Sequence, residues 1–312
     1  MEKIKTDTAK GVLAIIGLTA TIAMANVLAR YLDTGLTVLQ QVYLRVLIAL
    51  VLALLIFHGS LRWKKIVKLP LKEWLLLAFR GLTGYAIGVV LITQAVTMTT
   101  IGNVTFIAAL PLVPLFGMLL LGEKATWWKF MFIAGSVFGV ALLATNNPSD
   151  LFAWNAGDLV AVIATVGLAL NYVARKWHGP TLNNQEITTL TFVFGAGFVV
   201  LLSLAFGEGA PPLADMSWLL WLALFAAGAT SLAKLFLTNY GFQNIDAVRG
   251  GNLLTLEGAW GLLFGLLFYV EVPTWHGVIG GLVIVACVIG MNTIMRRATA
   301  KPPAPPEGHL KD

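Results

Sequence analysis

Four charged side chains stand inside long apolar runs of this 312-residue sequence: Arg45, Arg80, Lys234 and Glu257. A charge in such a run is costly and faces a cavity, a partner or a ligand. Arg45 lies about nine residues into its run, about 13 Å along a helix. There its guanidinium either attracts an anionic group such as a carboxylate or ties down a helix end. Arg80 sits about two turns into another run, and its long stem is expected to snorkel to the nearer surface. Lys234 comes late in one run and Glu257 early in the next, so both lie at similar depth. They either neutralise each other or open to bind a zwitterion, and Glu257 is the best single position for coupling to protons. Asn26 and Asn171, near the middle of their runs, either hydrogen-bond a substrate or lock helices together. Tyr85, Gln94, Tyr172 and Trp260 either line a cavity or simply pack. These nine residues without Arg80 are the candidate substrate-binding set. No catalytic constellation accompanies them. His58, His178, His276 and His309 fall in loops or at ends, Cys287 is alone, and no HExxH or GxSxG occurs. Neither an enzyme, a cofactor nor a metal site is expected.

The elements that must position these groups are long and apolar. The chain is 58% hydrophobic and 12% charged, with mean hydropathy +0.83. Soluble domains carry about 25% charged residues. A span needs roughly 20 apolar residues, and ten runs approach or meet that length. They lie at Gly11–Tyr31, Leu36–Phe57, Trp74–Met98, Ile101–Leu121, Trp127–Thr145, Gly157–Ala174, Ile187–Phe206, Trp218–Tyr240, Gly251–Val270 and Val278–Ile294. The expected fold is an all-α membrane protein of ten transmembrane helices. Residues 1–10 form an N-terminal segment and 298–312 a proline- and charge-rich tail expected to be disordered. Ala23-Met24-Ala25 imitates a signal-peptidase site, but the run continues past it and reads as a retained first span.

Charge orients the spans. With the N-terminus inside, every Lys and Arg falls on the inner side except Arg30, Arg45, Arg80 and Lys234, which lie within spans or at a span end. The outer side holds Asp33, Asp150, Asp158, Glu208, Asp215 and Glu271. The positive-inside rule then places both termini in the cytoplasm of a cell's inner (plasma) membrane. Topology accounts for the basic pI of about 9.5, so no nucleic-acid partner is needed. Trp63, Trp74, Trp127, Trp154, Trp218 and Trp275 sit near span ends, as interface anchors do.

The sequence also repeats itself. Leu115-Phe116-Gly117, Glu123, Thr126 and Trp127 match Leu263-Phe264-Gly265, Glu271, Thr274 and Trp275 at one offset, 148 residues. Asn26–Arg30 resembles Asn171–Arg175, and Gly135/Gly139 echo Gly277/Gly281. Residues 11–145 and 157–294 therefore read as two five-span units. An odd span number inverts the second unit in the bilayer. Inverted repeats are frequent in secondary transporters, whose site lies near the midplane between halves. Glu123 and Glu271 read as structural corners, with Thr126 and Thr274 capping the next helices. Pro111 and Pro114 hint at a kink or gate in the fourth span.

The stretch Ala109-Leu110-Pro111-Leu112-Val113-Pro114-Leu115-Phe116-Gly117-Met118-Leu119-Leu120-Leu121-Gly122-Glu123 resembles the signature of the EamA-type family of the drug/metabolite transporter superfamily. The second copy departs from it, with Glu257 to Trp260 at the proline positions and Tyr269-Val270-Glu271 for Leu-Gly-Glu. The resemblance spans Gly11 to Ile294. It implies a ten-helix transporter of small metabolites, amino acids or related amphipathic solutes, working by alternating access with export favoured. A lipid or drug flippase of the same architecture is the alternative. The implied partners are a small-molecule substrate and the bilayer, with proton coupling and oligomeric state left open.

Overall fold

The computed structural model describes residues 2–99, 101–124, 126–144, 155–270, 272 and 274–300, without the side chains of 2–6, 101–103, 143–144 and 296–300. Asp150, Trp154, Glu271 and the tail from residue 301 lie outside the described residues.

The described chain is helical. Helix α1 runs over Glu2–Leu32, α2 over Val38–Phe57, α5 over Trp127–Ala144, α6 over Ala156–Ala174, α7 over Asn184–Ala205, α8 over Trp218–Asn244 and α10 over Trp275–Ala300. Helix α3 spans Leu71–Met98 with a π-helical stretch at Leu82–Val89. Two helices are interrupted. Helix α4 divides into α4a (Ile101–Ala108) and α4b (Leu112–Leu121), and α9 into α9a (Ala247–Leu254) and α9b (Leu256–Tyr269). Among the described residues, nine of these segments are long and apolar enough to cross a membrane, and Trp127–Leu142 is a shorter apolar helix. The chain is an all-α membrane protein of ten helices in two repeats.

Local chemistry sets the ends. Thr37 with Gln40, Asn155 with Asp158 and Asn183 with Glu186 form capping boxes that start α2, α6 and α7. Ser217 and Asp246 cap α8 and α9a. Thr274 Oγ1 accepts the Gly277 N–H at 3.2 Å, as its place before the tenth span suggests.

Packing reveals the inverted symmetry. Helix α1 lies against α8 and α9, as α6 lies against α3 and α4. Helix α2 packs on α8, as α7 packs on α3. Helix α2 meets its own counterpart α7, α4 meets α9, and α5 meets α10. The pseudo-twofold axis therefore passes between the members of these three pairs. Small residues permit the closest approaches. A Cβ on Gly251 of α9a would collide with Pro114 Cδ of α4b, and one on Gly139 of α5 would lie 2.8 Å from the Gly280 carbonyl of α10. Large apolar side chains such as Leu13, Leu55, Leu201 and Leu267 point outward. That is unfavourable in water and favourable in hydrocarbon.

Candidate functional site

The two interruptions meet. A cavity of about 70 Å³ lies where they cross, bounded by Ala108–Leu110 and Pro114 of α4, by Leu254, Thr255 and Glu257 of α9, and by Tyr172 of α6. Ala109 and Glu257 are repeat mates, 148 residues apart, and both line it.

The interruption of α4 follows from proline chemistry. Pro111 has no N–H for the Ile107 carbonyl, which takes the Leu110 N–H instead at 3.1 Å. The Leu112 N–H turns to the Leu110 carbonyl at 2.7 Å, so the Ala108 carbonyl loses its regular helical donor. Such non-helical backbone is tolerated at membrane depth where it borders a cavity. In α9 no proline acts. Thr255 sits between α9a and α9b, and its hydroxyl donates to the Asn252 carbonyl at 2.7 Å.

Glu257 opens the first turn of α9b, where a helix N-terminus favours negative charge. Its Oε1 accepts from Asn26 Nδ2 of α1 at 3.1 Å. Lys234 of α8 interacts with Glu257 electrostatically, yet the pair is not within 4 Å, the distance of an ion pair such as Arg62–Glu186. Lys234 also repels Arg45. Arg45 is buried, with Nη2 donating to Thr93 Oγ1 at 3.3 Å and no acid among the described residues bridged to it. Tyr172 stacks on Phe242 with centroids 5.3 Å apart and planes 8° apart. Tyr172 and Glu257 thus line the cavity, and Asn26 is bonded to Glu257 beside it.

The remaining candidates lie elsewhere. Tyr85, in the π-helical stretch, packs against Phe192 at 5.7 Å within an apolar cluster. Gln94 donates to Thr97 at 3.1 Å. Trp260 pairs with Phe264 at 5.9 Å. Asn171 belongs to a second polar cluster with Arg80, and there the expectation of snorkelling is corrected. Arg80 is 0% exposed. Its Nε donates to Asn171 Oδ1 at 3.0 Å and its Nη2 to Asn239 Oδ1 at 2.6 Å. Two amide oxygens from α6 and α8 hold the guanidinium inward more effectively than the membrane surface draws it out. Near it, burial and the charges of Arg80 and Arg175 push the His178 imidazole down to about 2. The neutral ring places its Nδ1 proton toward Glu73 Oε2 at 2.7 Å.

Thr105, Thr165 and Thr255 also line the cavity and are absent from the sequence-derived set. Thr165 donates to its own helix, to the Ala161 carbonyl at 2.8 Å. Threonines satisfied in this way carry no sequence signal. Only the meeting of the two breaks identifies them.

Glu123 proves to be a corner of a different kind. Its Oε1 accepts the Ala247 N–H at 2.9 Å and its Oε2 the Val248 N–H at 3.0 Å. The glutamate that ends α4 thus closes the N-terminus of α9a in the other repeat.

The model of the EamA-like transporter family matches residues 9–145 and again 155–293. The uncharacterized transporter YcxC of Bacillus subtilis is 25% identical over 211 residues, covering 64% of this chain and 66% of its own length, just under two thirds. The uncharacterized transporter sll1164 of Synechocystis sp. is 24% identical over 270 residues, 82% of this chain and 75% of its own. A solved crystal structure shares the fold with TM-score 0.74 at 18% identity, over 95% of this chain and 99% of its own.

Proposed function

This chain belongs to the EamA-like transporter family, and on that premise we propose that it is a secondary transporter of small amphipathic metabolites, amino acids or their relatives. The observation that carries the reading is the cavity at the crossing of two interrupted helices, one from each repeat. A site on the symmetry axis is reachable from either face by rocking one repeat against the other, which is alternating access. A cavity of about 70 Å³ is small beside the roughly 300–1,000 Å³ of open ligand pockets.

The polar groups support a zwitterion. Glu257 offers a carboxylate oxygen to an ammonium group, while Lys234 and Arg45, unbridged by any acid among the described residues, offer an anion-receiving side. Asn26 and Tyr172 position the carboxylate and bound its space. The amino-terminal and carboxy-terminal ends are proposed to face the cytoplasm of the plasma membrane, from the charge asymmetry of the loops, and export is the proposed direction. The test is counterflow of a labelled amino-acid panel in liposomes. Exchange above that of protein-free liposomes is expected. Movement of a headgroup-labelled lipid with no solute exchange would sink the proposal in favour of a flippase.

A further inference from the structure

The second polar cluster lies at the end of the bundle where α3 and α7 begin and α6 and α8 end. Arg80 of α3, Arg175 just past α6 and His178 beyond it are all buried. Asn171 and Asn239 hold Arg80 through its Nε and Nη2. Asn239 Nδ2 donates in turn to Thr188 of α7 at 2.9 Å. Arg175 Nη2 donates to Gln243 of α8 at 2.7 Å. One nitrogen of each guanidinium, Arg80 Nη1 and Arg175 Nε, is buried and meets no acceptor among the described residues. The two arginines repel each other and both act on His178, so the three groups share one neighbourhood.

The charges there do not balance. Glu73 is the acid that attracts Arg175, and its oxygens are taken by His178 Nδ1 at 2.7 Å and the Gly179 N–H at 3.3 Å. His178 is neutral, and the groups from α7 and α8 are hydroxyl and amide. Lys176, beside Arg175, is drawn toward Glu123 and Asp246. Two buried guanidiniums thus face one carboxylate. The C-termini of α6 and α8 offset part of the excess with partial negative charge. A buried charge left in excess remains strongly disfavoured. The spare groups are both donors, so the neighbourhood calls for an acceptor carrying a single negative charge.

We propose that Arg80 Nη1 and Arg175 Nε bind a compact inorganic monovalent anion, of the size and charge of chloride. The anion ties α3 of the first repeat to the end of α6 of the second. Neither arginine lines the cavity between the interrupted helices. The anion site is therefore separate from the place proposed for the solute, and its test leaves the transporter reading untouched.

The test follows thermal unfolding of the full-length protein in detergent, with potassium gluconate exchanged for potassium chloride, bromide or acetate at constant ionic strength. Chloride and bromide are expected to raise the midpoint saturably, by roughly 2–4 °C at about ten times the dissociation constant. Arg80→Gln and Arg175→Gln each remove one of the two positive charges and one spare donor, and each is expected to lose the response. Should Arg80→Gln fail to fold, Arg175→Gln and Glu73→Gln still decide. Glu73→Gln keeps an oxygen for its neighbours but raises the excess charge, so half-saturation is expected at roughly tenfold lower chloride. A purely structural cluster would not tighten in this way. No saturable response to chloride or bromide in the wild type overturns the site. So does a response that survives in Arg175→Gln, or one that weakens in Glu73→Gln. A response to acetate without one to either halide assigns the donors to carboxylates and overturns the inorganic anion.

Discussion

Helices α4 and α9 occupy equivalent places in the two repeats, and both are interrupted beside the same cavity. Their interruptions differ in kind. In α4 two prolines remove backbone donors, and the residue facing the cavity at the repeat position is Ala109. In α9 there is no proline, and the equivalent residue is Glu257. One helix supplies a mechanical joint with a partial charge, and the other a full charge that can be neutralised. Duplication gave both halves the same scaffold, and divergence at one position gave the described lining of the cavity its one carboxylate. An asymmetric site on a symmetric frame lets two faces use one binding group without placing two like charges together, which would repel strongly at such distances.

The sharpest way to break this contrast is to move the charge. Glu257→Ala is expected to slow amino-acid counterflow roughly tenfold to a hundredfold, the scale of one lost charge-assisted hydrogen bond. Adding Ala109→Glu to that variant places a carboxylate at the mate position beside the same cavity. If the axis passes through the site, the double variant recovers counterflow to within roughly tenfold of the wild type. A double variant that inserts normally but transports no better than Glu257→Ala would show that the surroundings of Glu257, with Asn26 and Lys234, matter more than its place in the repeat.

The next contrast lies at the far ends of the same helices. Glu123 closes the start of α9a with two charge-assisted hydrogen bonds. Glu123→Ala strips both acceptors from backbone donors at a helix N-terminus, where a lost cap costs about 0.5–2 kcal/mol. With two such bonds the upper end, about 2 kcal/mol, is expected, read as a lowered unfolding midpoint in detergent. Glu123→Gln keeps one carbonyl oxygen, so roughly half the loss is expected there. Equal stability of Glu123→Ala and wild type would remove the glutamate from this role.

The fold was readable because a span announces itself by composition over about 20 residues. The run expected at Leu36–Phe57 is the helix Val38–Phe57, and that at Trp127–Thr145 is Trp127–Ala144. Contacts between remote residues were not readable. Arg80 looks the same in sequence whether its stem reaches the surface or turns to Asn171 and Asn239, 91 and 159 residues away. Likewise Glu123 meets Ala247 across 124 residues, and its partner is a backbone amide with no side-chain signature. Within the site, Glu257 and Tyr172 stood out because charge and phenol are rare in apolar runs. Thr105, Thr165 and Thr255 did not, because threonine in a membrane helix ordinarily bonds to its own backbone. The prolines foretold the break in α4, whereas the break at Thr255 had no local signal.

The smallest contrast is also the cleanest. Helix α4b ends at Gly122 with φ +66°, and α9b ends at its mate Val270 with φ 57°. Both adopt the left-handed conformation that terminates a helix. Glycine enters it without penalty, whereas a side chain with a Cβ is disfavoured there by roughly 1–2 kcal/mol. Valine, branched at Cβ, is among the least suited. Val270→Gly should therefore relieve strain, although glycine also gives the unfolded chain more freedom, which takes back part of the gain. A net stabilisation of about 0.5–1 kcal/mol is expected, seen as a raised unfolding midpoint. The reverse exchange in the other repeat, Gly122→Val, should destabilise by about 1–2 kcal/mol. Opposite signs from mate positions would show that the two corners share one backbone conformation filled by unequal residues. If Val270→Gly instead lowers the midpoint, the valine side chain contributes more through its surroundings than its backbone costs, and the two corners are not equivalent.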